Sequence, residues 1–157
     1  MKYENVTITG IGSYLPPEVV TNADIVKEVD TTDEWIYTKL GIKARRVADN
    51  ESISEMGTKA ARKALLDANL DKEDIDLIIV ATSSPEQISP ATACAIHRKL
   101  GIKKNVPSYD INAVCSGFLY AISLSAPLVS VGAYKNVLII ATEAYSNITN
   151  WKARHCV

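Results

Sequence analysis

The pattern of apolar and polar positions predicts strands that alternate with helices over most of the chain. Two continuous apolar runs, IDLIIVAT (75–82) and NVLIIATEA (136–144), are typical of strands buried on both faces of a parallel sheet. Between Ser54 and Asn69, apolar residues at helical spacing predict an amphipathic helix, with Met56, Ala60, Ala64 and Leu65 on one face. The alternation from Ile75 onward favours an α/β fold with a mostly parallel sheet.

Capping residues and turn formers predict the other elements. Helices are expected to begin at residues 21–22 and in TTDEWIYTKL, where Gly41 ends the second of them. Another helix is expected between Pro90 and Gly101. NVTITGIGSYLP predicts a strand at Val6–Thr9 that is closed by glycines and a Pro-Pro turn, whereas GIKARRV favours no element.

One cysteine lies where a strand pattern changes to a helix pattern. PSYDINA reads as a short strand, and GFLYAISLSAPLVSVGA has the helical period, so Cys115 is expected at the elbow between them. Unpaired N–H groups and the dipole at a helix start favour an anion, so a thiol placed there is expected to ionise more easily. Gly117 leaves room for a close approach to the sulfur. The elbow alone leaves open a second interpretation, a small buried structural cysteine.

Length, charge and cysteine content narrow the class of protein. The 157 residues suffice for one domain with a core, and 17 basic against 18 acidic residues leave a net charge of −1, which gives no support to a nucleic-acid partner. No window has the length and composition of a membrane span or a signal peptide. The cysteines, at positions 94, 115 and 156, suggest neither a disulfide framework nor a metal site. A reducing, cytoplasmic location is therefore expected.

Several stretches together resemble one family. TNAD, VDTTDEWI, GIKARR, DLIIVATSSPEQISPATAC, LGIK, DINAVCSGFLYA and GAYKNVLIIATEAYS are similar, in this order, to the β-ketoacyl-acyl-carrier-protein synthase III enzymes of the thiolase-fold superfamily. The resemblance implies that residues 1–157 form the N-terminal half of a duplicated thiolase-like fold, with the C-terminal half absent from this chain.

The resemblance also implies a reaction. Family members are homodimers that join the acyl group of acyl-CoA to malonyl-acyl carrier protein and thereby begin fatty acid synthesis; acyl-CoA is a substrate, and no cofactor is bound permanently. Cys115 would be the nucleophile that carries the acyl group as a thioester. The alternative is a non-catalytic half-domain or fragment that binds a partner or an acyl carrier.

Four further residues are assigned to CoA by resemblance alone. Trp35 and Arg154 match positions on the two sides of the adenine, and Thr31 matches a position that hydrogen-bonds the nucleotide. Lys39 stands where the family commonly has an arginine. Lysine keeps the positive charge but lacks the planar guanidinium that can form two parallel hydrogen bonds. The family completes its catalytic set with a His and an Asn from the second half of the fold, and neither His97 nor His155 matches that histidine.

Overall fold

The computed structural model describes residues 4–153, which divide between two compact units. Within these residues, the smaller unit comprises 15–51 and 144–153, and the larger unit comprises 4–14 and 52–143. Thr31, Trp35 and Lys39 belong to the smaller unit, and Cys115 belongs to the larger unit.

The smaller unit is built from short elements with strong caps. Thr21 begins the first helix with a reciprocal capping box, and Thr32 caps the second helix through the backbone N–H of Trp35. Gly41 ends the second helix at φ +71°, which glycine adopts without strain. The two strands pair antiparallel. The elements are β1 (Glu18–Thr21), α1 (Asn22–Ile25), α2 (Asp33–Leu40) and β2 (Ala44–Val47).

The larger unit is a three-stranded parallel sheet with helices on both faces. The strand order is β4-β3-β5, and β3 is buried along its whole length. Because side chains alternate along a strand, Ile78 and Val80 face the cluster under α3 and α4, whereas Leu77 and Ile79 face α5. The elements are α3 (Ile53–Asp67), β3 (Leu77–Ala81), α4 (Thr92–Leu100), β4 (Ser108–Ile111), α5 (Gly117–Ser130) and β5 (Val137–Ala141).

Most of the expected elements are present, and three expectations need correction. Val6–Thr9 forms no strand; instead, the chain passes so close to α3 that a β-carbon on Gly12 would lie 2.2 Å from the carbonyl oxygen of Ala60. The segment with no expected element contains β2, which exists by pairing with β1. The β5 strand is only alternately buried: Leu138 and Ile140 face the cluster under α3 and α4, whereas Val137 and Ile139 face α5 and are only partly buried.

The helices within residues 4–153 are all too short or too polar to cross a lipid bilayer.

Candidate active site at the carboxyl end of the sheet

Cys115 occupies a tight turn between β4 and α5, where the sequence pattern predicts it. After β4 the chain forms one 3-10 turn, Val114–Ser116, and α5 begins at the next residue. Backbone bonds from Ser116 N–H to Ala113 O and from Gly117 N–H to Val114 O hold the turn. Cys115 is exposed, so the structure contradicts the interpretation as a small buried residue.

The backbone immediately before the cysteine is in an unfavourable conformation. Val114 has φ +48°, which is a genuine outlier for a β-branched residue. Strain of this kind costs about 1–3 kcal/mol and persists only where neighbouring structure imposes it. The left-handed conformation of Val114 changes the direction of the backbone, and the next residue, Cys115, is exposed at the start of α5.

Gly117 lets the elbow lie directly on the central strand. A β-carbon at this position would lie 3.1 Å from the β-carbon of Ala81, the last residue of β3. The start of α5 therefore packs against the carboxyl end of β3. Ser116, at the N-cap of α5, makes no side-chain capping bond. The backbone N–H groups in the first turn of α5 therefore have no capping partner from the Ser116 side chain.

A carboxylate that sequence reasoning missed lies at the same end of the sheet. Glu143 follows β5 and accepts hydrogen bonds from the residues that follow β3, namely Thr82, Ser83 and Ser84. The sequence does contain a hint of this contact: β3 and β5 end in the similar sequences VATSS and IATEA. Because the two strands are neighbours, these sequences place hydroxyl donors and a carboxylate acceptor at equivalent positions.

Three of the candidate CoA residues lie within the described part of the smaller unit. Trp35 is half-buried on α2 and packs against the cluster of Ile25, Val29 and Ile36, which Trp151 also contacts. Lys39 is exposed in the last turn of α2. Arg154 lies outside the described residues.

Thr31 supplies an observation that fits a nucleotide ligand. Its hydroxyl oxygen is buried and has no hydrogen-bond partner within the described structure. Buried polar atoms are rarely left in this state, so a missing partner is a reason to expect a ligand. Thr31 thus offers a buried hydroxyl and Trp35 a half-buried aromatic ring within the same unit.

A polar network beside these residues holds the smaller unit together. The buried amide of Asn22 donates to Asp33 and to the carbonyl of Ile42, and its oxygen accepts from Arg45. Burial lowers the pKa of Arg45 below its ordinary value, and one nitrogen of this guanidinium is buried without a hydrogen-bond partner among residues 4–153. The network fixes the start of α2 and, with it, the position of Trp35.

Possible metal ligands and the histidines are the remaining groups of chemical interest. Across residues 4–153, no three His, Cys, Asp or Glu side chains come close enough to hold a metal ion. His97 lies in the last turn of α4, where its Nε2 atom is 3.1 Å from the carbonyl oxygen of Lys104. His155 lies outside the described residues.

Comparison with known proteins supports one family. The family model for 3-oxoacyl-[acyl-carrier-protein (ACP)] synthase III matches residues 109–157. Curated proteins called β-ketoacyl-[acyl-carrier-protein] synthase III are 46% identical over 150 residues in Clostridium acetobutylicum and 49% identical over 152 residues in Caldanaerobacter subterraneus. Each alignment covers 96% of this chain and 46% of the relative, so the chain spans about half the length of the curated relatives it matches.

Solved structures agree with the sequence relatives. The 3-oxoacyl-[acyl-carrier-protein] synthase III of Aquifex aeolicus superposes with a TM-score of 0.91 at 47% identity, covering 94% of this chain and 48% of that one. The priming β-ketosynthase of the R1128 polyketide pathway superposes with a TM-score of 0.89 at 37% identity, covering 94% and 44%.

The parallel sheet and its cysteine elbow define a thiolase-fold protein. Within that class, the chain is similar in sequence and structure to β-ketoacyl-[acyl-carrier-protein] synthase III, over about half the length of those enzymes.

Proposed function

We propose that this chain carries the nucleophile of an acyltransferase that condenses an acyl-CoA primer with malonyl-acyl carrier protein. The observation that carries the proposal is the exposed Cys115 in a fixed turn, at the carboxyl end of β4 and the start of α5. Ligand sites of open α/β sheets lie at this end of the strands. The reaction is that of the relatives that share this half of the fold.

The first step is acyl transfer to the cysteine. The thiolate of Cys115 attacks the thioester carbonyl of acyl-CoA, and the backbone N–H of Cys115 is one donor that stabilises the oxyanion. The carbonyl then re-forms and expels the thiolate of CoA, which leaves an acyl group on Cys115. No oxidant or metal is needed for this exchange of one thioester for another.

The second step is condensation. The malonyl thioester loses carbon dioxide, and the resulting carbanion attacks the acyl carbonyl on Cys115. Collapse of that adduct releases the Cys115 thiolate and leaves a β-ketoacyl group on the carrier protein. By resemblance, this step uses a His and an Asn from the second half of the fold. A homodimer and a cytoplasmic location belong to the same proposal.

The smaller unit would bind the CoA nucleotide. Trp35 supports one face of the adenine and Arg154 the other, while the buried hydroxyl of Thr31 meets a polar atom of the nucleotide. Lys39 is exposed on α2 and attracts the phosphates as a point charge.

Intact mass after incubation with acetyl-CoA tests the acyl-transfer step. We expect one acetyl group per chain, located by peptide mapping at Cys115. A Cys115→Ser variant should gain none, and a Cys94→Ser variant should be acylated like the wild type. Acetylation that maps to Cys94, or that persists in Cys115→Ser, would remove the basis of the proposal.

An exposed apolar surface on α5 favours a second candidate function, a half-domain that binds a protein partner. Phe118, Leu119, Tyr120 and Leu124 are 45–67% exposed on this helix. Such a protein would bind its partner equally well after Cys115→Ser substitution and would take up no acyl group. The mass experiment therefore distinguishes the two functions.

A further inference from the structure

The carboxylate of Glu143 holds the chain segment that leaves the central strand. Its Oε1 atom accepts from the backbone N–H of Ser83 at 2.7 Å and from the hydroxyl of Ser83 at 2.8 Å. Its Oε2 atom accepts from the hydroxyls of Thr82, at 3.3 Å, and Ser84. Hydrogen bonds to an ionised acceptor are about twice as strong as neutral ones, so four of them fix residues 82–84 firmly.

This segment lies beside the cysteine elbow. Ala81, the residue before it, lies under Gly117, at the position where a β-carbon would be 3.1 Å away. The N–H of Thr82 donates to the carbonyl of Ile111 at 3.1 Å, which ties the segment to the end of the strand that leads to Cys115. The residues that Glu143 fixes therefore follow directly on the contact between β3 and the elbow.

We propose that Glu143 is a positioning residue for acyl transfer at Cys115. It holds residues 82–84 as one wall of the space that an acyl group on the sulfur must occupy, and so it sets which acyl groups fit. This inference rests on the proposed function. Glu143 does not touch the thiol; it acts through the backbone and hydroxyl groups of the segment.

Glu73 provides a matched control in the same chain. Its carboxylate also anchors a loop, by accepting from the backbone N–H groups of Lys103, at 2.9 Å, and Lys104. That loop precedes β4, at the opposite end of the strand from Cys115. Glu73→Gln and Glu143→Gln therefore remove the same charge from the same kind of contact at the two ends of the sheet.

Two measurements on the 157-residue chain test the inference. In Glu143→Gln we expect amide hydrogen exchange at Ser83 and Ser84 to rise about tenfold, since about 1.4 kcal/mol corresponds to a factor of ten and a bond to a charged group contributes at least that much. We also expect the ratio of acylation rates for acetyl-CoA and hexanoyl-CoA at Cys115 to change about tenfold. The rate at which iodoacetamide alkylates Cys115 should stay unchanged, because this small reagent does not have to fit against residues 82–84.

Each outcome decides one part of the inference. If Glu73→Gln changes the primer ratio as much as Glu143→Gln does, the effect is one of general stability and the inference is overturned. Unchanged exchange in Glu143→Gln would show that the carboxylate does not order the segment. Faster exchange with an unchanged primer ratio would overturn the link to primer choice. If no acyl-CoA acylates the wild type, the proposed function fails with the claim about primer choice, whereas exchange still decides the anchoring.

Discussion

The strained backbone at Val114, just before Cys115, predicts that glycine at this position gives a more stable protein than alanine, the reverse of the order found inside helices. A left-handed conformation costs a non-glycine residue about 1–2 kcal/mol, and glycine loses about 0.5–1 kcal/mol more backbone entropy on folding than alanine. At Val114, with φ +48°, the chain with glycine should therefore be more stable than the chain with alanine by about 0.5–1 kcal/mol. The valine side chain is 57% exposed, so little burial is lost in either variant.

Urea unfolding monitored by circular dichroism measures the difference between the two variants. Leu124 is the matched control, because it is half-exposed within α5; there, alanine should be more stable than glycine by about 1 kcal/mol. Acyl transfer to Cys115 should be slower in Val114→Gly than in Val114→Ala, since the flexible residue no longer fixes the elbow. If alanine is more stable than glycine at both Val114 and Leu124, the reasoning that the turn stores strain is refuted.

Three further predictions concern reactivity, ligand binding and acid stability. Iodoacetamide should label Cys115 faster than Cys94 near neutral pH, as judged by peptide mapping; earlier labelling of Cys94 would contradict the elbow argument. Trp35→Ala should weaken CoA binding, measured by calorimetry, far more than Trp151→Phe does; equal losses would indicate general destabilisation of their shared cluster. The pKa of Asp76 is lowered overall: burial raises it, but hydrogen bonds from the N–H groups of residues 135–136 and from the Lys104 side chain lower it by more. Its contribution to stability is thus present above the unfolded pKa of about 3.9 and is lost as the pH falls below it, so wild-type stability should fall more steeply in acid than that of Asp76→Asn, and parallel curves would contradict this assignment.

Elements with local signals could be predicted from the sequence. The bounds of α2 follow from Thr32 at one end and Gly41 at the other, both of which act within a few residues of the helix. Burial of β3 follows from its unbroken apolar run, which has no polar face to present to water. The same reasoning places Cys115 at an elbow, because a strand pattern ends and a helix pattern begins around it.

Features that depend on distant contacts could not be predicted in the same way. Val6–Thr9 has a strand pattern, but a strand also needs a neighbour, and the segment ending at Gly12 lies on α3. Glu143 reads as an ordinary acidic residue until the sheet brings three hydroxyl groups from the neighbouring strand exit to it. The role of Thr31 rests on resemblance, and its unpartnered hydroxyl becomes visible only in three dimensions.

The position of His97 leads to a final prediction about the chain alone. Lys104, whose carbonyl meets His97, precedes β4, whereas Cys115 follows it; four residues of strand separate the two ends by about 13 Å. His97 therefore cannot assist the cysteine, and His97→Ala should leave its acylation unchanged. Condensation further requires stabilisation of the charge that develops as malonyl loses carbon dioxide, and loss of one such donor costs about a factor of 10²–10³ in rate. We therefore expect the 157-residue chain to acylate itself and to make no β-ketoacyl product. Release of carbon dioxide from malonyl-carrier protein at an enzyme-like rate, abolished by His97→Ala, would show that this histidine reaches the site after all.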